Sequence, residues 1–343
     1  MSHAPSLTPG QRAWRRFRQH KRGFFSLWLF LLLFALSLGA ELLSNDKPLV
    51  VRYHDQLYFP VLFDYQETAF GGDFDTATDY LDPFIQDQFA RPGNFAVYAM
   101  NPYSYNTVNY FADNPNPAAP SFDNVLGTDD RGRDVLARLI YGFRVSVLFA
   151  LALTLSGTVL GVLFGALQGF FGGKFDLVVQ RLLEVWGSLP ELYLLIILAS
   201  MFKPSLLLLL LLLTLFGWMG LADYVRADFL RNRQMEYVLA ARATGLNSWQ
   251  IMWRHVLPNS LTPVLAFLPF RVSGAILALT SLDFLGLGVP SSTPSLGELL
   301  AQGKDNLDAW WIALPTFVVL TTTLLLLIFI GEGLRAALDT RKG

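Results

Sequence analysis

The chain has 343 residues, of which 53% are hydrophobic and only 15% charged, against roughly 25% charged in soluble domains. A formal net charge of −1 and the absence of cysteine exclude a global basic field for nucleic acid, a disulfide framework, a thiolate metal site, a cysteine nucleophile and terminal prenylation. His3, His20, His54 and His255 include no pair at metal-ligand spacing, so no metal site is expected.

In chain order, the first segment (1–23) is basic. Arg12, Arg15, Arg16, Arg18, Lys21 and Arg22 stand there with no acid among them, which predicts a cytoplasmic N-terminus. The apolar run at 24–43 has the roughly 20 residues a membrane span needs. It lacks a small-x-small exit and is read as a retained span, not a cleaved signal. The segment 44–144 is then external. It is rich in acid (Asp73, Asp75, Asp79, Asp82, Asp87) and in aromatics such as Tyr53, Tyr58, Phe59, Phe63, Tyr65, Phe70 and Phe74. That aromatic density predicts a small ordered cap, with a linker at 114–120.

The second span, 145–171, carries Gly157, Gly161, Gly165 and Gly169, each four residues after the last. That register makes a groove without side chains and predicts a close helix–helix contact, a partner subunit being one candidate. The third span, 175–201, places Asp176, Gln180, Glu184 and Glu191 near one face. Asp176 and Gln180 are shallow by position. Glu184 and Glu191 are deeper, beside Trp186, Gly187 and Pro190, where a bend is expected. Two readings stay open: this face lines a polar pathway, or Arg181 pairs locally with Glu184 while Glu191 reaches the outer end. A turn at Lys203 and Pro204 leads to a fourth span, 205–224.

The loop 226–258 is polar and basic, with Arg226, Arg231, Arg233, Arg242 and Arg254, and alternation places it in the cytoplasm. Strong helix formers from Met235 onward end at Gly245, which suits a helix C-terminus. A second helical turn at 248–256 is expected to stop at Pro258. The pair would form a compact knob, seated in a groove of another protein or on lipid headgroups. The fifth span, 261–288, contains Arg271 near its middle and Asp283 near its outer exit. Twelve residues separate them, or about 18 Å of helix, so they cannot pair; Arg271 is the stronger pathway candidate. A sixth span, 311–334, precedes a cytoplasmic tail with Arg335, Arg341 and Lys342. The candidate pathway residues are thus Glu184, Trp186, Glu191, Arg271 and Asp283.

The residues of the loop carry a resemblance. Leu239-Ala240-Ala241, three residues, Gly245, nine residues, then His255-Val256-Leu257-Pro258 resembles the Glu-Ala-Ala…Gly…Ile-x-Leu-Pro coupling motif of ABC-importer permeases. Leu239 stands at the Glu position and His255 at the Ile position, with Glu236 one helical turn before Leu239. The stretches Leu126–Leu136 and Arg138–Arg144, Asp283-Phe-Leu-Gly-Leu-Gly288, and Pro294-Ser-Leu-Gly297 resemble the dipeptide and oligopeptide (DppC/OppC) permeases. The opening of the outer loop (45–53) and Ile328-Phe-Ile-Gly-Glu332 look most like the Yej branch, whose systems take up peptides and peptide-like antibiotics such as microcin C.

The resemblance implies an all-α membrane protein of six spans: a MetI-like type I importer core (145–334), an extra N-terminal span and a large periplasmic loop, in a bacterial inner membrane. It implies a heterodimer with a second permease, an ABC ATPase on the cytoplasmic face, a periplasmic peptide-binding protein and a peptide cargo. It assigns ATPase coupling to Glu236, Leu239, Ala240, Ala241, Arg242, Gly245, His255, Leu257 and Pro258. The chain's nearest approach to a P-loop, Gln168 to Phe175, lacks the first glycine and the final Ser/Thr. ATP and Mg are therefore expected in the partner, with no cofactor and no catalytic site here. A secondary transporter would need buried ion ligands and, often, inverted repeats, and no such repeat is present. A membrane enzyme would need a catalytic constellation, and neither H-E-x-x-H nor G-x-S-x-G occurs.

Overall fold

The computed structural model describes residues 8–108 and 115–339. His3, Asn114 at the start of the expected linker, and Arg341 and Lys342 of the tail lie outside these. The protein is mostly helical. Among the described residues five helices are long and apolar enough to cross a membrane: Lys21–Leu38, Val135–Phe171, Leu206–Asn232, Ser248–Phe284 and Trp310–Leu338. The run expected as the third span is present but broken. Pro190 has no N–H to donate and its ring clashes with the preceding turn, so the run splits into Gly173–Gly187 and Glu191–Met201.

Contacts divide the chain into two units, Met1–Leu31 with Val147–Pro290 and Thr321–Gly343, and Leu32–Ser146 with Ser291–Leu320. In chain order the helices are α1 (Pro9–Gln19), α2 (Lys21–Leu38), α3 (Ala40–Leu43), α4 (Pro83–Ala90), α5 (Val135–Phe171), α6 (Gly173–Gly187) and α7 (Glu191–Met201). There follow α8 (Leu206–Gly217), α9 (Met219–Asn232), α10 (Glu236–Ala243), α11 (Ser248–Ile251), α12 (Leu257–Phe284), α13 (Leu296–Asp305) and α14 (Trp310–Leu338).

In the first unit the glycine groove of α5 is filled by α9 of the same chain. A Cβ on Gly165 would sit 2.5 Å from the Ala222 carbonyl, and one on Gly169 would sit 2.5 Å from both the Arg226 carbonyl and Phe229 Cβ. No side chain fits such a backbone approach. The close contact expected from the spacing is therefore internal rather than an interface with a partner subunit. Around it Ala166, Phe170, Leu221, Val225 and Phe229 close a core with Val238, Ile251, Met252, Val256 and Val264.

Two boundaries differ from the sequence expectation. The loop 226–258 is shorter than its polarity suggests, because α9 runs on to Asn232. Polarity does not end a helix, and Arg231 pairs back to Asp228 at 3.1 Å one turn away. Pro258 does not stop the chain either. Residues Met252–Val256 form a π turn that leads straight into α12. The wider turn gives the proline ring, at the start of α12, the room that a regular α turn withholds.

In the second unit strands β1 (Val50–Tyr53), β2 (Gln56–Tyr58) and β3 (Phe95–Val97) form an antiparallel sheet in the order β2-β1-β3. Val51 pairs with Tyr58 on one side and Ala96 on the other. The aromatics close edge-to-face around the fully buried Phe70, with Tyr53 at 5.7 Å and Phe89 at 5.1 Å between ring centroids. Elsewhere in this unit Arg138, fully buried, pairs with Glu298 and Asp129. Arg133 reaches Asp129 at 2.6 Å and the Ser291 carbonyl at 2.7 Å. Asp134 caps α5 through the Ala137 amide at 2.7 Å and accepts from Asn101 and Asn124.

Candidate functional site

The segment between α9 and α12 builds the first candidate site. α10 is anchored from below by Val238 and Ala241, both in the core, while Glu236, Leu239, Ala240 and Arg242 are exposed. Leu239 keeps 51% of its surface open. The helix stops at Gly245, whose φ of +83° lies in the left-handed region. There the Leu246 amide donates to the Ala241 carbonyl and the Gly245 amide to that of Arg242, which closes the orphan carbonyls of the last turn. A Cβ at Gly245 would meet nothing within 4 Å, so backbone conformation and not packing requires the glycine. Asn247 then caps α11 in a reciprocal box with Gln250. Trp249 and Trp253 are half exposed beside this corner, with Trp249 edge-on to Phe171. His255 and Leu257 are partly buried and Pro258 is exposed.

The result is a short helix held rigidly by two side chains and offering a face of Glu236, Leu239, Ala240 and Arg242 outward. Glu236 is at the first turn of α10, where the helix dipole favours an acid. The glycines between α5 and α6 make a corner and not a phosphate cradle. Gly172 has φ +65° and its α-carbon lies against the Arg233 guanidinium, which donates to the Phe170 carbonyl at 3.4 Å.

The second candidate is a cleft of about 210 Å³ lined by Thr154, Glu191, Leu213, Gly217, Arg271 and Gly274, among others. It brings together Glu191 and Arg271, two of the five residues expected to line a pathway. Arg271 Nη2 donates to the Gly217 carbonyl at 3.1 Å, an acceptor freed where α8 gives way to α9 at Trp218. Its Nε is buried without a partner, as is the hydroxyl of Thr154. Gly157 makes room for the guanidinium, since a Cβ there would lie 2.9 Å from Nη2.

The other three expected pathway residues are held elsewhere. Glu184 pairs with Arg181 at 2.5 Å. Trp186 stacks on Phe216 with centroids 5.6 Å apart. Asp283 Oδ1 accepts from the Val289 amide at 2.9 Å and fixes the loop after α12. Asp176, shallow by position, is buried and takes a two-pronged bond from Arg226 at 2.5 and 2.7 Å, while Gln180 reaches Asp223 at 3.3 Å. Sequence reasoning passed over Thr154 and Gly217 as cleft residues. A threonine in an apolar helix ordinarily bonds the carbonyl one turn back, so nothing marks this one. A larger recess of about 840 Å³, between α9, α12 and α14, holds Asp228, Arg231, Arg335 and Asp339. Charges of both signs meet there.

The family described as the binding-protein-dependent transport system inner membrane component matches residues 157–343, and the N-terminal TM domain of oligopeptide transport permease C matches residues 8–68. The inner membrane ABC transporter permease protein YejE of Escherichia coli is 49% identical, with 98% of each chain covered. The peptidoglycan transport system permease protein YejE of Agrobacterium fabrum is 47% identical, over 97% of this chain and 93% of that one. A solved structure of the MetNI methionine ABC transporter in inward-facing conformations aligns at 18% identity with a TM-score of 0.47, over 58% of this chain and 96% of the other.

Proposed function

The chain belongs to the binding-protein-dependent transport permeases, a multi-pass inner-membrane component of an ABC importer, and from that premise we propose that it carries peptides or peptide-bearing compounds. A relative named for peptidoglycan transport and others named for oligopeptides and dipeptides support that cargo class, as does the resemblance to the Yej systems and their cargo microcin C. The partners are a second, YejB-like permease forming a heterodimer, a YejF-like ATPase that holds ATP and Mg, and a YejA-like periplasmic binding protein. The chain itself does no catalysis. Its N- and C-termini and α10 face the cytoplasm, in line with the arginine-rich N-terminus. By domain, 1–23 is the basic N-terminal segment, 24–43 the extra span, 44–144 the periplasmic cap, 145–334 the permease core and 335–343 the tail.

In this reading α10 is the coupling helix. One observation carries it: α10 is fixed to the core of α5, α9 and α12 by Val238 and Ala241 and leaves Glu236, Leu239, Ala240 and Arg242 uncovered. A push on that face moves the packed helices as a body, a rigid-body switch with a short helix as lever. Small Ala240 lets a groove of the ATPase close over it, and Glu236 supplies the acid that the motif normally has at position 239. Arg271 and Glu191 belong to the translocation pathway, while Glu184 and Asp283 hold local structure.

The test is Ala240→Trp. The position is exposed, so the permease still folds and inserts, but the added ring blocks the groove. In proteoliposomes with the full complex, ATP-driven uptake should fall by about tenfold or more, the loss expected of a blocked interface centre. Uptake and ATP hydrolysis both at the parent level would remove the coupling role.

A further inference from the structure

The cleft at Arg271 sets a charge inside a span with few partners. A guanidinium carries five N–H donors and cannot lose its charge. Within a span such a charge ordinarily faces a counter-ion or water. Arg271 donates to a single acceptor, the Gly217 carbonyl, and its Nε is buried without one. Glu191 lines the same cleft from α7 but forms no ion pair with it. Thr154 Oγ1, on α5, is a second buried polar atom without a partner among the residues that line the cleft. Buried polar groups in native proteins are nearly always satisfied. Two left open in one cleft, one of them a fixed cation, describe a site that waits for an acceptor.

We propose that this cleft is a subsite for a carboxylate of the cargo, the free C-terminus of a peptide, held by Arg271 with Thr154 donating beside it. The inference rests on the peptide-import reading and specifies it. A planar carboxylate matches the guanidinium fork and accepts two bonds from it. The volume decides how much enters. At about 210 Å³ the cleft is smaller than the roughly 300–1,000 Å³ of sites that enclose a whole ligand, so it takes one end of the chain. Gly157 keeps the space beside the guanidinium clear, and Gly217 and Gly274 line the cleft without side chains. Glu191, a like charge to the bound carboxylate, keeps the site weak. A pathway needs that, because a bound group must also leave.

The experiment compares two labelled tripeptides of one sequence, with a free C-terminal carboxylate or a C-terminal amide, in proteoliposomes holding the complete complex and binding protein. Parent uptake of the free acid, dependent on ATP, checks the peptide-import reading separately; without it that reading fails, and this one with it. With Arg271→Gln, uptake of the free acid should fall about tenfold, the scale of a lost charge-assisted pair, and the amide should stay within about twofold of parent. Arg271→Lys, which keeps the charge but not the two-pronged fork, should restore only part of the discrimination. If the arginine only caps the Gly217 carbonyl, acid and amide fall in parallel and the proposal is overturned, as it is if neither changes. Gly157→Ala displaces the guanidinium without removing it and serves as the second variant. It should also lower the acid-to-amide ratio, and an unchanged ratio counts against the site.

Discussion

Two arginines in this chain, one fully buried and one half-buried, have opposite surroundings. Arg138 in the second unit has no exposed side-chain surface and is held by Glu298, Asp129, and the carbonyls of Tyr105 and Thr293. Arg271 in the first unit has the Gly217 carbonyl and a cleft that it shares with Glu191 and Thr154 but with no ion pair. A buried charge used for architecture comes with its counter-ions, because desolvation of an ion costs several kcal/mol. A charge enclosed without them is expensive to the fold, and its role lies in what it meets later.

That contrast can be broken most directly at Arg138. Arg138→Ala should strand Asp129 and Glu298 and lower stability by about 3–5 kcal/mol, read as a large drop in the thermal midpoint of the purified complex in detergent. A small drop would mean that the network is not structural. The pair Asp176–Arg226 should lie between the extremes, since Asp176 is buried while Arg226 is partly open. Asp176→Asn keeps the shape but loses the charge-assisted bonds, for an expected cost of about 1–3 kcal/mol. At Arg271 the effect on stability should be within about 1 kcal/mol for Arg271→Gln, because the desolvation relieved offsets the bond lost to Gly217. Equal destabilisation at Arg138 and Arg271 would erase the distinction between them.

The smallest effect concerns buried groups that are neutral. Burial pushes Tyr80 and Tyr98, in the 44–144 segment, up to about 12 from an ordinary 10. An acid whose folded pKa is raised adds stability that is full below its unfolded value and fades as pH climbs through the folded one. These two should therefore remain un-ionised when exposed tyrosines titrate near 10, and the segment should lose stability between about pH 10 and 12. Ultraviolet titration of tyrosinate, followed alongside near-ultraviolet circular dichroism, would register both. Ionisation of all tyrosines in one step near 10 would contradict the packing around Phe70.

Much of the fold was legible because its causes are local. Apolar runs of span length, the arginines before the first of them and the four-residue register of Gly157, Gly161, Gly165 and Gly169 are all read within a few turns of chain. The break at Pro190 and the helix end at Gly245 were readable too, since a missing N–H and a positive φ are properties of single residues. Pro258 misled for an instructive reason: a proline forbids a regular preceding turn but permits a π turn, and the choice depends on the packing of Met252 and Val256.

What only the tertiary structure decided is which distant groups meet. The glycine register announced a close partner but not that α9 of the same chain would be it. Asp176 looked shallow because Arg226 lies fifty residues away. Arg138 and Arg271 both stand among apolar helix residues, and neither one's partners can be read from its sequence neighbours. Solvation and pairing set the energy of a charge, and both depend on long-range neighbours that chain spacing does not encode. The sequence by itself thus determined most of the spans and the turns set by single residues. The fold alone determined which charge is satisfied and which is left open.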